Sequence, residues 1–254
     1  MLSLMKSKRF WMSLLMGIFG FGAGLIYNVV PLFEYTLDEM NYIWQEESAR
    51  LLPMFAVSGA ICCIVTFFAY YIGDYLKETM QLKVEKINKK SLIILIVSSI
   101  IIPLLIGVID ILTKNPDSFS FVSVYYTLIN TSAGILYSAV LEEIWFRACF
   151  MCLMIYVFHK VFNKNSKDDK INNKYVIMGI VFSALFLFIF QLNTILNLYS
   201  FSFAILFRLV FVYLIPNLLY GGIYIKHGLK WSIIGHIIFI LIHLGVMPFV
   251  VTLI

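Results

Sequence analysis

Seven stretches of the chain stay apolar for about the 20 residues that a helix needs to cross the hydrocarbon core of a bilayer. They are 10–33, 51–76, 91–113, 136–162, 175–195, 201–225 and 230–253. In lipid no water satisfies backbone N–H and C=O groups, so each run has to close its own hydrogen bonds as a helix. The sequence therefore predicts an all-α, polytopic transmembrane helix bundle, a single integral membrane domain over residues 1–254. Composition points the same way. Only 13% of the residues are charged, against about 25% in soluble domains, too few to cover a water-facing surface. The first run follows Lys6, Lys8 and Arg9 as a secretion signal would. It is longer than the roughly 7–15-residue apolar core of such signals and reads as an uncleaved span.

The placement of charge orients these spans. Lysines gather in 77–90 (Lys77, Lys83, Lys86, Lys89, Lys90), in 160–174 (Lys160, Lys164, Lys167, Lys170, Lys174) and at Lys226 and Lys230, whereas 34–50 is acidic. Basic loops stay on the cytoplasmic side. That rule holds for all of them only if 121–135, short and polar in its second half, does not cross. The expectation is seven full spans with 121–135 as a re-entrant or interfacial helix, the N-terminus inside and the C-terminus outside. The net charge of +5 thus serves membrane orientation, and no nucleic acid is expected as a partner. Partners are the lipid bilayer and a membrane peptide or protein, as substrate or client. The Lys-, Ile- and Asn-rich loops suggest a bacterial plasma membrane.

Two small-residue features concern packing. Gly17, Gly20, Gly22 and Gly24 include a G-x-x-x-G pair, Gly20 and Gly24, a spacing that lets helices approach closely. Cys62, Cys63, Cys149 and Cys152 all sit in apolar runs, where free thiols behave as small hydrophobes. Cys149 and Cys152 form a C-x-x-C without the βαβ context of a redox motif.

The chemistry concentrates in Glu142-Glu143-Ile144-Trp145-Phe146-Arg147, inside the fourth run. Each ionisable residue at a span centre costs about 2.5–3.5 kcal/mol on insertion scales. Glu143 and Arg147 stand four apart, the spacing of a helical ion pair with the acid N-terminal to the base. Glu142 points about 100° away around the helix and has no local cation. A carboxyl group without a counter-charge in low dielectric is a candidate general acid or base. The alternative is structural: a staple between Glu143 and Arg147 with Glu142 hydrogen-bonded to a neighbouring helix. Arg208 and Asp110 are further charges within apolar runs and a possible pair, and His236 lies on the last span.

The Glu-Glu-x-x-x-Arg element follows a Gly- and Ala-containing apolar approach, Ser132-Ala133-Gly134 to Val140-Leu141. A turn from Gly221-Gly222 through Gly228-Leu229-Lys230-Trp231 leads to His236. Together these resemble the CPBP/Abi group of membrane proteins, similar to the type II CAAX prenyl endopeptidases and bacteriocin-processing proteins. The resemblance covers 120–245, with 1–113 a three-span N-terminal region that matches only as generic apolar helices. It implies an intramembrane peptidase in which Glu142 activates water, Glu143 and Arg147 support it, and His236 is the second catalytic histidine. Gln191 stands where that family has its first histidine, and Ile240 where an asparagine follows the second. A glutamine neither accepts nor relays a proton near neutral pH, although an amide can hydrogen-bond an oxyanion.

Three functions follow in order of expectation: a CPBP-type peptidase; a catalytically silent relative acting as a membrane binding, chaperone or bacteriocin-immunity protein; and a small transporter using Glu142, Arg208 and Asp110. No repeat symmetry of the transporter kind is visible. Neither H-E-x-x-H nor G-x-S-x-G occurs in the sequence. Zinc sites use at least three protein ligands, and only Glu142 and His236 offer themselves, so zinc is an unpromising cofactor and no other is implied.

Overall fold

The computed structural model describes residues 8–29, 56–57, 59–76, 85–113, 131–132, 134–163, 171–196, 202–247 and 250. Seven helices lie within them. They are α1 Lys8–Val29, α2 Gly59–Leu76, α3 Lys89–Thr113, α4 Ile135–Met151 continued by Cys152–Phe162, and α5 Asn173–Leu196. α6 runs Phe203–Leu209, Val210–Leu214 and Ile215–His227, and α7 runs Leu229–Ile240 and Leu241–Val246. No strand occurs among the described residues. The acidic segment 34–50 and residues 121–130 of the anticipated re-entrant helix lie outside them.

Five of these helices (α2, α3, α5, α6 and α7) are long and apolar enough to cross a membrane. α1 contributes a shorter apolar stretch, Phe10–Gly22, and α4 is the helix that carries Glu142, Glu143 and Arg147 along its length, with Lys160 near its end. Their outward faces are apolar. On α5, Ile177, Val181, Leu185, Ile189 and Phe190 are exposed while Ala184 and Leu187 are buried. An exterior of that kind suits lipid and not water. The chain is a multi-pass, all-α membrane bundle.

Glycines set the closest approaches between helices. A side chain at Gly59 of α2 would meet the Gly17 carbonyl of α1 at 3.0 Å, and one at Gly17 would meet Cys63. Gly17 is therefore a seat of α1 on α2, about one turn before Gly20, which is itself buried. Gly22 has nothing within 4 Å. Gly228, between α6 and α7, has φ 87° and ψ 173°, a conformation confined almost entirely to glycine.

Several helices are locally widened. α4 is wound as a π-helix over Ile135–Met151, as are α6 over Val210–Leu214 and α7 over Leu241–Val246. For α6 the cause is legible: Pro216 has no N–H for the carbonyl four residues back, and its ring crowds that carbonyl. Asn217 Nδ2 donates to the Tyr213 carbonyl, which satisfies one acceptor in the widened turn.

The helix ends are not level. Leu229, the first residue of α7, packs with the cluster of Ala148, Met151 and Cys152 and also with that of Leu141 and Ile144. The α6–α7 turn therefore meets α4 near its middle. Beyond it the end of α4 and the start of α5 continue as a hairpin, with the His159 and Tyr175 rings 5.8 Å apart.

Candidate functional site

The site grows from α4, α6 and α7, with α3 behind them. Glu143 is fully buried and Arg147 nearly so. Arg147 Nη2 lies 3.1 Å from Glu143 Oε1, one helical turn away. α7 supplies two more donors to the same carboxylate. His236 Nδ1 is 3.0 Å from Oε1, and Ser232 Oγ donates to Oε2. Glu143 thus meets three donors, as a carboxylate removed from water requires. Behind this group, Tyr220 of α6 stacks on His236 and reaches Ser99 of α3. Trp145 Nε1 donates to Thr66 Oγ1 across 3.2 Å, tying α4 to α2.

The family resemblance implied that His236 works with Glu142. In the structure the histidine hydrogen-bonds Glu143, and the seven-residue span from Leu229 explains how. Because the α6–α7 turn is recessed against the middle of α4, His236 reaches the depth of Glu143 without any break in α7. Helix lengths alone, with ends taken as level, put the two groups in different leaflets.

Glu142 is the contrasting carboxyl group. It is half-buried and makes no hydrogen bond or ion pair with a described residue. Phe146 and Phe150 follow it at intervals of four on the same side of α4, and Phe150 packs on Phe186 of α5 with centroids 4.8 Å apart. Glu142 thus stands on the side of α4 that carries these phenylalanines, and it is close enough to His236 and Arg147 to interact with them electrostatically.

Gln191 lies on α5, which packs beside α4. α4 and α5 run antiparallel, with Ile155 against Gly179, His159 against Tyr175 and Phe150 against Phe186. Extending this register puts Gln191 within about one turn of the level of Glu142. Gln191 lies one turn beyond Leu187, which is 3% exposed and marks the inward face of α5. Ile240 is buried at 5% exposure, with its branch beside Gly134, and contributes packing only.

His236 keeps one nitrogen uncommitted. Its Nδ1 is occupied by Glu143, Nε2 has no hydrogen-bond partner among the described residues, and the side chain retains 15% exposure. Which ring nitrogen carries the proton is fixed by the bond the other makes. A neutral imidazole donating through Nδ1 presents its lone pair at Nε2. The site thus offers a reachable carboxyl group, a reachable imidazole nitrogen and an amide, set against an apolar, aromatic wall.

No protein-family model matches the chain, and no curated protein or solved structure matches it.

Among the described residues no group of three or more His, Cys, Asp or Glu stands together as a metal site would require. All four cysteines are free thiols, with Cys152 Sγ 3.5 Å from Tyr224 Oη. Arg208 of α6 lies near His243 of α7, apart from the Glu143 cluster, and the Asp110 side chain, the anticipated partner of Arg208, lies outside the described residues. Ser232, Tyr220 and Ser99 were not singled out by sequence. Ser232 did leave a signal, a polar residue one turn before His236 on an otherwise apolar helix. Tyr220 left none, since tyrosine is common in apolar spans.

Proposed function

We propose that this protein is an intramembrane peptidase of the CPBP type, acting on a membrane peptide or protein. The observation that carries the reading is the division of labour between adjacent carboxyl groups. Glu143 is consumed in holding His236 and Arg147, while Glu142 and His236 Nε2 stay free to engage a water and a peptide bond. Glu142 takes a proton from water as hydroxide adds to the carbonyl carbon. The Gln191 amide donates to the developing oxyanion. The proton then passes to the departing amine as the C–N bond breaks. The setting that fits the basic loops is a bacterial plasma membrane with the N-terminus in the cytoplasm.

Reconstitution in proteoliposomes with a panel of membrane peptides tests the reading. Wild type is expected to cleave, and Glu142→Gln and His236→Ala are each expected to abolish cleavage without loss of folding. Cleavage surviving in both variants would sink it. Gln191→His is expected to raise the rate, because an imidazole relays the proton that an amide cannot.

A specific observation favours a second reading, a catalytically silent relative that binds or protects a membrane client. Ile240 is packed into the core, so the site has one polar group fewer than the family pattern implies. Client protection that persists in Glu142→Gln and His236→Ala supports this second reading.

A further inference from the structure

His236 is held on two sides, and only one of them is explained by the ion pair. Its Nδ1 edge meets Glu143 Oε1 at 3.0 Å. One ring face lies against Tyr220, with centroids 5.4 Å apart and planes 25° from parallel. Tyr220 is fully buried, and its hydroxyl is anchored twice. Its Oη is 3.1 Å from Ser99 Oγ on α3 and 3.2 Å from the Gly235 carbonyl on α7. A carbonyl can only accept, so the tyrosine hydroxyl donates to Gly235 and the serine hydroxyl donates to the tyrosine. The Tyr220 carbonyl also lies 3.3 Å from Ser232 Oγ, whose single proton is directed to Glu143 Oε2.

Gly235 makes this closeness possible. A Cβ at that position would stand 2.9 Å from Tyr220 Cε1, so the tyrosine ring rests on bare backbone one residue from His236. Pro103 stands four residues after Ser99 in α3 and cannot return an N–H to the Ser99 carbonyl. The turn that presents the Ser99 hydroxyl thus lacks one backbone hydrogen bond. Four helices converge on one imidazole: α3 through Ser99, α4 through Glu143, α6 through Tyr220 and α7 through the histidine's own backbone.

We propose that Tyr220, suspended from Ser99 and seated on Gly235, is the positioning residue of His236. Glu143 selects the tautomer, Tyr220 fixes the plane of the ring, and together they present the Nε2 lone pair at the open edge of the site. The inference rests on the reading that His236 works through Nε2. A buried tyrosine hydroxyl needs a partner in any case; here its two bonds, to Ser99 and to the Gly235 carbonyl, lock the ring that the histidine stacks on. Partners that orient a metal-bound histidine cost about 10- to 100-fold in activity when removed, and Tyr220 is expected to matter to the same order.

The test uses the full chain in lipid nanodiscs with ¹⁵N-labelled histidine. The sequence has four histidines, and His236→Ala assigns the relevant signals. Wild type is expected to show His236 as a single Nδ1–H tautomer with an unprotonated Nε2. Tyr220→Phe and Ser99→Ala are expected to broaden that signal or add the second tautomer, while the signals of the other three histidines stay in place. Unchanged signals on those three show that each variant is folded. His236 signals identical to wild type in both variants overturn the proposal, as does an Nε2–H tautomer in the wild type. Where wild type cleaves a peptide, Tyr220→Phe lowers kcat by about 10- to 100-fold at unchanged KM. Where it cleaves none, the peptidase reading falls and the tautomer comparison still decides the role of Tyr220.

Discussion

At the scale of single residues, the weight of the site falls on Glu143. Three donors from two helices converge on its carboxylate, and the charge it shares with Arg147 is out of reach of solvent. Removing one partner of a buried pair leaves the other uncompensated, at a cost of about 3–5 kcal/mol. Arg147→Met is therefore expected to lower the unfolding free energy in mixed micelles by that order. Arg147→Met combined with Glu143→Gln should recover most of the loss, since neither charge remains; an additive double variant would contradict the coupling. Glu142→Gln is expected to leave stability undiminished, because that carboxyl has no described partner to lose. The i, i+4 spacing of Glu143 and Arg147 made their pair legible in the sequence. The carboxyl that His236 chooses was not legible, because it depends on how far α7 slides along α4. Tyr220 was not legible either, since what distinguishes it is a bare backbone carbonyl at Gly235.

Among the elements, glycine position decides how helices seat. α1 and α2 touch where Gly17 faces Gly59, and a Cβ on Gly59 would find both the Gly17 carbonyl and Phe21 Cβ at 3.0 Å. Gly59→Ala is expected to destabilise the protein by about 1–3 kcal/mol through overpacking. Gly22→Ala, which meets open space, should be neutral or slightly stabilising through helix propensity. Equal melting temperatures for the two variants would show that the seat is not there. The presence of a small-residue contact on α1 was legible from the crowding of glycines. That Gly17 makes one was not, because spacing along one helix does not give its rotation toward a neighbour. The π-wound turn before Pro216 was signalled by the proline, whereas the longer one in α4 has no sequence cause that we can name.

For the whole molecule, fold class was the most legible property. Apolar runs of bilayer length leave a membrane chain little choice but helices. The exposed lysines Lys89, Lys160, Lys174, Lys226 and Lys230 lie at helix ends that share one end of the bundle. In a background without native cysteines, Lys174→Cys and Lys226→Cys are expected to react with an impermeant maleimide from the same side of the membrane. Labelling from opposite sides would break the arrangement. Depth was not legible. Run lengths suggest helices cut to a common thickness, but the α6–α7 turn is set back against the middle of α4.

That setback gives the two aqueous compartments unequal standing toward the cluster. From Gly228 to His236 the path along α7 is about 10–12 Å, little more than a third of a hydrocarbon core about 30 Å thick. A proton or small polar inhibitor arriving from the lysine-bearing face has the shorter journey, and one from the opposite face has to cross the remainder. In proteoliposomes of a His236→Cys variant without native cysteines, a small polar thiol reagent should react faster when supplied on the side that bathes the lysines. A faster reaction from the other side would mean that the cluster opens through a different door.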